Sequence, residues 1–336
     1  MAGVRLQDVA ELAGVSMKTV SNVVHEYPHV SDRMRERVQK AIDELGYRPN
    51  LLGRRLATGR TGLLALAFAD VTLPYFAELA RRVSDVAEAQ GYRVLLEQTD
   101  ATLDGERAAV SGIEAGMVDG IVFQPSVMSS AELAQTRSSL PMVILGEGAA
   151  PLSIDRVMID NVAAAREATT HLLRLGRRRI AFAGHEPDRL SRTSELRIAG
   201  YQAALEDAGI IPDPAMLIPS NAISPVEGAV AIGAALDGGL QLDAIMCRDD
   251  LAAIGALRAL QERGLRVPED VAITGWDNTL MTSVTFPSIT TIAPDLTALA
   301  TRAVAMLCER IDGLATMGRH ELVGYELVTR ESAPLV

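Results

Sequence analysis

Residues 6–24 read LQDVAELAGVSMKTVSNVV. Leu6, Val9, Ala10 and Ala13 fall at i, i+3, i+4 and i+7, which sets them on one side of an α-helix. Gly14 comes next, and glycine takes the left-handed conformation that a helix end commonly requires. Ser16 is then placed to cap a second helix with its hydroxyl oxygen. Val20, Val23 and Val24 form the inward side of that helix, and Met17, Lys18, Ser21 and Asn22 its outward side. Two short helices, a tight turn and a polar outer face on the second helix are how proteins place side chains in a DNA major groove. An ordinary helical hairpin shares this spacing, so the decision falls to the rest of the chain.

The next segment extends the same small unit. Ser31 is positioned to cap a third helix ending near Leu45, with Met34, Val38, Ala41, Ile42 and Leu45 inward, Gly46 at its end and Pro49 beyond. Residues 49–62, PNLLGRRLATGRTG, put Leu51, Leu52 and Leu56 on roughly one face, but Gly53 and Gly59 weaken the helix. So short a helix is marginal alone in water. The segment is expected to be a linker that becomes helical when supported.

Charge divides the chain at the same place. The whole protein of 336 residues carries a net −11, which argues against nucleic acid as a partner until it is split. Residues 1–60 hold ten Lys/Arg against seven Asp/Glu, a net +3, and the remainder holds 22 against 36, a net −14. The basic part is small and N-terminal, and the acidic bulk would be repelled by phosphate. No apolar run approaches the roughly twenty residues of a membrane span, and the polar N-terminus shows no signal peptide. Cys247 and Cys308 lie in apolar segments and suggest no disulfide framework, so a cytoplasmic location is expected. There is no HExxH, no CxxC and no glycine-rich phosphate loop after the first strand. Neither an enzyme nor a metal or cofactor site is expected.

From Gly62 onward, strands and helices alternate. LLALAFA is a continuous apolar run, as in a parallel strand buried on both faces. Strand patterns recur near residues 93–98, 120–123, 142–145, 157–159, 180–183, 216–218, 244–247 and 271–274, with helical patterns between most of them. Two consecutive βαβ series predict two doubly wound parallel-sheet subdomains with a cleft between them, following an all-α headpiece. Ligands in such sheets bind beyond the carboxyl ends of the strands.

The stretches DVAELAGVSMKTVSNVV, HVSDRMRERVQKAIDELGYRPN, RDDLAAIGAL and VPEDVAITGWDN, in this order, resemble the LacI/GalR family of bacterial transcriptional regulators over essentially the full chain. The resemblance implies a helix-turn-helix headpiece over 1–48 and a hinge helix over 49–61. It implies a core of periplasmic-binding-protein type, with an N-terminal subdomain at 62–160 plus 291–320 and a C-terminal one at 161–290 plus 321–336. It further implies a homodimeric repressor on a pseudo-palindromic double-stranded operator, with no membrane partner and an affinity set by a small-molecule effector in the cleft. By the same resemblance Met17, Lys18 and Asn22 read bases. Ser16, Thr19, Ser21, His29 and Asn50 contact or frame phosphates, and Leu6 belongs to the same DNA-contacting set. Leu56 wedges into the minor groove at the operator centre, where an apolar side chain kinks a flexible step. Gly53 departs from the alanine common in the family and should cost roughly 1 kcal/mol of helicity.

The effector set carried over is Tyr75, Phe76, Gln124, Ser191, Thr193, Arg197, Asp249, Trp276 and Asp277. Carboxylates accept vicinal hydroxyls, arginine donates in a planar fork and an aromatic face covers a sugar ring, so the expected ligand is a sugar. Asp249 stands where the family usually has asparagine, and an acceptor-only side chain favours hydroxyl or amine donors over carboxylate or phosphate. Three alternatives remain for this site. Arg197 and Asp277 could form a structural ion pair between subdomains. Trp276 could be a core residue. The ligand could be a nucleoside-like corepressor. A sugar-binding module without a regulatory role is the rival from a different class.

Overall fold

Three helices form the N-terminal unit in a computed structural model that describes residues 4–24, 27, 29–47, 60–112, 116–135, 140–148, 151–188, 190–220 and 224–335. They are α1 (Leu6–Ala13), α2 (Met17–Val24) and α3 (Asp32–Leu45). Gly14 ends α1 at φ 60° and Gly46 ends α3 at φ 62°, both in the left-handed region. The Gly14 carbonyl, left without an intrahelical donor, accepts from Arg37 Nη2 of α3 at 2.8 Å. Ser16 Oγ accepts from Thr19 N at 3.1 Å and so caps α2 as expected. Ser31 departs from expectation: it occupies the cap position of α3 with extended backbone, but its side chain makes no capping bond. Val9, Ala10, Ala13, Val20, Val23, Val38 and Ala41 make the buried core. The expected hinge, with Asn50 and Leu56, lies outside the described residues except for Arg60 and Thr61.

Gly62–Val336 forms a second compact unit built on two six-stranded sheets. The first lobe runs β1 (Leu63–Phe68), α4 (Pro74–Ala89), β2 (Arg93–Gln98), α5 (Leu103–Gly112), β3 (Gly120–Phe123), α6 (Ser130–Gln135), β4 (Met142–Leu145) and β5 (Asp155–Met158). The chain then crosses to α7 (Asn161–Arg174), β6 (Ile180–His185), α8 (Arg192–Asp207), β7 (Leu217–Pro219), α9 (Pro225–Asp237), β8 (Ala244–Cys247), α10 (Asp250–Glu262), β9 (Ala272–Trp276), α11 (Leu280–Val284) and β10 (Thr290–Pro294). It returns to the first lobe for α12 (Leu296–Ile311) and β11 (His320–Leu322), and crosses once more for β12 (Tyr325–Val328).

The strand orders are β11-β5-β4-β3-β1-β2 and β12-β10-β9-β8-β6-β7. All neighbours are parallel except β10 and β12. The expected division of the subdomains shifts at two points. Strand β10 belongs to the second sheet, so the boundary set at residue 291 moves beyond Pro294, and β11 keeps the first lobe until Leu322. The reason is that each return of the chain completes a sheet edge before or after it crosses.

Strands such as LLALAF are buried along nearly their whole length because helices cover both faces. Helix α12 fills the first lobe with Leu299, Ala300, Ala303, Val304, Met306 and Leu307. It is also tied electrostatically. The fully buried Asp155 of β5 accepts from Arg310 Nη2 of α12 at 2.8 Å, and from the Nη2 and backbone N of Arg319 at 2.7 Å each. Burial alone would raise its carboxyl, but the two guanidinium groups outweigh that and hold it well below the ordinary range. Among the described residues no helix is long and apolar enough to cross a membrane.

Candidate functional site

The carboxyl ends of strands from both sheets meet around one cavity of about 690 Å³. From the first lobe come Tyr75 and Phe76 after β1, Gln124 to Ser129 after β3 and Glu147 after β4. From the second come Glu186, Ser191 and Thr193 after β6, Arg197 on α8, Arg248 to Asp250 after β8, and Trp276 and Asp277 at the end of β9. Doubly wound sheets leave such a crevice where the strand order reverses, and the size suits a small molecule. All nine residues expected at the effector site line this one cavity.

Arg197 is the centre of the polar half. Its side chain is buried, its Nε donates to Asn161 Oδ1 at 2.8 Å, and its Nη1 donates to the Arg248 carbonyl. The guanidinium carbon lies 3.8 Å from the centroid of the Trp276 ring. Burial disfavours its charge, and Asp277 and Glu147 support it. No ion pair joins Arg197 to Asp277 among the described residues, so that alternative is not what holds the two lobes. Trp276 answers both earlier readings: it is fully buried in the core of the second lobe and also lines the cavity. Its indole Nε1 and Gln124 Oε1 have no hydrogen-bond partner among the described residues.

Asp277 and its neighbour Asn278 sit at φ 104° and φ 54°, the left-handed side that non-glycine residues seldom occupy. The backbone is held there by Asp277 N donating to Ile292 O at 2.8 Å and by Arg330 Nη2 donating to Asn278 Oδ1 at 2.6 Å. The Asp277 carboxylate has no hydrogen bond or ion pair among the described residues. Burial pushes it well above the ordinary carboxylate range, Arg197 pulls it back, and Asp250 and Asp249 push it up again.

Asp249 has two structural tasks as well. Its Oδ1 caps α10 through Ala252 N at 2.8 Å, and its Oδ2 meets Arg248 Nη2 at 2.9 Å. Arg248 also reaches Glu186 Oε1 at 2.6 Å. Burial raises Glu186, but the Arg248 charge outweighs it and the net shift is downward. Asp250 is buried and accepts from Thr279 N, Thr279 Oγ1 and Thr291 Oγ1 at 2.7, 2.9 and 2.7 Å. Its carboxyl is raised to about 6 by burial, with those bonds pulling the other way. Gly275 is required opposite it: a Cβ there would stand 2.4 Å from Asp250 Oδ1.

Five charged residues of this site, Glu147, Glu186, Arg192, Arg248 and Asp250, escaped the sequence reading as binding residues. Glu147 accepts from Thr193 Oγ1 at 3.1 Å and from Asn161 Nδ2, bridging the lobes. A further residue acts from behind the wall. Glu106 of α5 is fully buried and accepts from the backbone N–H groups of Ser126, Val127 and Met128 at 2.5, 3.1 and 2.7 Å. It thereby fixes the loop that carries Gln124. An acid inside an otherwise polar helix looks solvent-facing in sequence, and only the sheet order brings that loop to it. Among the described residues no cluster of three metal-ligating side chains occurs.

In the N-terminal unit, Met17, Lys18, Ser16 and His29 are exposed, and Thr19, Ser21 and Asn22 are half-buried. Thr19 Oγ1 stands 2.9 Å from Ser16 Oγ. Leu6 is half-buried against the three-helix core.

Residues 5–50 match the family described as bacterial regulatory proteins, lacI family, and residues 169–333 match a periplasmic binding protein-like domain. The chain is 32% identical over 329 residues to the HTH-type transcriptional repressor CytR of Escherichia coli, covering 97% of this chain and 95% of that protein. Among solved structures, a lac repressor dimer bound to operator and the anti-inducer ONPF superposes with a TM-score of 0.86 at 28% identity, over 99% of this chain and 100% of that one. A complex of the regulator CelR with cellobiose superposes with a TM-score of 0.73 at 29% identity, over 98% and 99%.

Proposed function

We propose that this chain, which belongs to the lacI family of bacterial regulatory proteins, is a dimeric repressor whose operator affinity is set by a small polyhydroxylated effector. One observation carries the reading: side chains from many separate strand ends, Tyr75 to Asp277, line a single cavity between the lobes. A ligand that prefers one lobe geometry shifts the population of that geometry. It binds with its hydroxyls toward Arg197, Asp277 and Asp249 and a ring face toward Tyr75 and Phe76. The outward residues of α2, with Met17 and Lys18 foremost, enter the major groove.

The second copy covers the exposed apolar side chains Val226 and Val230 of α9 and Leu280, Met281 and Val284 of α11. The lac repressor's dimeric operator complex supports the dimer itself. The test is selection of duplexes from a randomised pool, followed by binding of the recovered site with and without members of a sugar panel. A pseudo-palindromic site is expected, together with at least one sugar that changes its affinity. Equal binding to all duplexes would remove the regulator reading.

A further inference from the structure

The cavity wall carries more negative charge than positive. Glu147, Glu186, Asp249, Asp250 and Asp277 line it, against Arg192, Arg197 and Arg248. Arg192 is turned to Glu195, outside the lining, at 2.9 Å. Arg248 serves Glu186 and Asp249. Asp250 is closed off by its threonine donors and turned away from a ligand. That leaves Glu147, whose hydrogen bonds come from the neutral Asn161 and Thr193, and Asp277, whose carboxylate is without a partner among the described residues. The remaining cation is Arg197, which gives its Nε and one Nη1 hydrogen to Asn161 and the Arg248 carbonyl and keeps its Nη2 for a ligand hydroxyl.

We propose that the effector bears a protonated amine among its hydroxyls, as an amino sugar or an aminocyclitol does, with Asp277 as the counter-charge. The proposal rests on the reading of this cavity as the effector site. A neutral ring leaves the half-buried Asp277 carboxyl with Arg197, which makes no ion pair with it, as the nearby cation that draws it down, and a phosphorylated or carboxylated ligand adds to the excess of negative charge. An ammonium group removes it. Opposite stands Tyr75, whose phenol is pushed up by burial and then by Asp277 and Glu147, so these groups share one region of the cavity. Tyr75 also lines the cavity, and an aromatic face attracts a cation. The unpartnered indole N–H of the fully buried Trp276 offers a donor for a ligand hydroxyl oxygen.

The test uses the full-length protein, titrated by calorimetry with glucosamine, galactosamine and mannosamine. Each is matched by its parent hexose, its N-acetyl form and its 6-phosphate. The assay runs near pH 6.5, below the roughly 7.7–8 of an α-amino group. At least one amine should bind about tenfold or more tightly than its parent and its N-acetyl form, and Asp277→Asn should reduce that preference to about threefold or less. The comparison on the unsubstituted protein stands even if the variant misfolds. A neutral, acetylated or phosphorylated sugar that binds as well as its amine overturns the proposal while leaving the cavity as the effector site. If none of the panel binds and none alters operator affinity, both the amine and the sugar-effector reading fall.

Discussion

Replacing Arg197 by lysine keeps the charge and removes the geometry. The guanidinium is stacked 3.8 Å over the Trp276 ring and donates sideways to Asn161 and to the Arg248 carbonyl. A desolvated cation–π contact is worth about 2 kcal/mol, and a hydrogen bond from a charged donor about 1.5–3 kcal/mol. Lysine can restore one of the two hydrogen bonds as a compact ammonium, but not the planar stack and fork together. A loss of about 2–3 kcal/mol in a preorganised site corresponds to an effector Kd raised about 30- to 150-fold. The assay is intrinsic fluorescence, because Trp276 is the protein's one tryptophan and lies in the cavity wall. An effector identified by calorimetry is titrated into both proteins, and operator release is measured in parallel. An Arg197→Lys protein with unchanged Kd would refute the placement of the polar half, as would a bound effector that leaves the Trp276 emission unmoved.

Three further outcomes follow from other parts of the molecule. Asp155→Asn leaves two guanidinium groups facing a neutral amide and should cost about 3 kcal/mol, or about 6–10 °C in Tm. In the unsubstituted protein the Asp155 carboxyl is held below its unfolded value of roughly 3.9. Its contribution is therefore complete above that pH and is lost as pH falls through the depressed value, so acid unfolding should begin at higher pH in the variant; coincident acid transitions would contradict this. Glu106→Gln loses the charge that gathers three backbone N–H groups, and hydrogen exchange at Ser126–Met128 should quicken at least tenfold while the headpiece is unaffected. For the DNA interface, Asn22→Ala should weaken the operator by about 1–3 kcal/mol and relax one base position. Lys18→Ala should likewise relax one further base position; changes in nonspecific affinity alone would contradict both roles.

Much of the fold is legible in the residues themselves, because its signals are local. The strands Gly120–Phe123, Met142–Leu145 and Ala244–Cys247 begin and end where their apolar runs do. Gly14 and Gly46 stop their helices as their φ freedom predicts. The start of α5 does not follow its apolar pattern: it begins at Leu103, where Thr102 Oγ1 accepts from Gly105 N at 3.1 Å and opens the turn. The assignment of β10 to the second sheet is not legible, since Thr290–Pro294 pairs with β9 across a long sequence separation and with β12 at the end of the chain. In the site, family resemblance points to side chains that face the ligand. It does not reveal the counter-charges. Glu147, Glu186 and Arg248 acquire their meaning from partners tens of residues away, and no periodicity marks such pairs.

The chain passes between the lobes three times, after Met158, after Pro294 and after Leu322. Neither lobe is therefore a continuous piece of sequence. A fragment truncated at residue 160 would lack α12 and β11, and with them both arginines that hold Asp155. A protease cut at one crossing would still leave two covalent bridges. Opening of the cleft must bend all three strands of linker together, which favours rotation of one lobe against the other over separation. Swapping effector specificity between relatives by recombination would need paired exchanges at two or more junctions, and a single crossover anywhere in the core would join mismatched halves of a sheet.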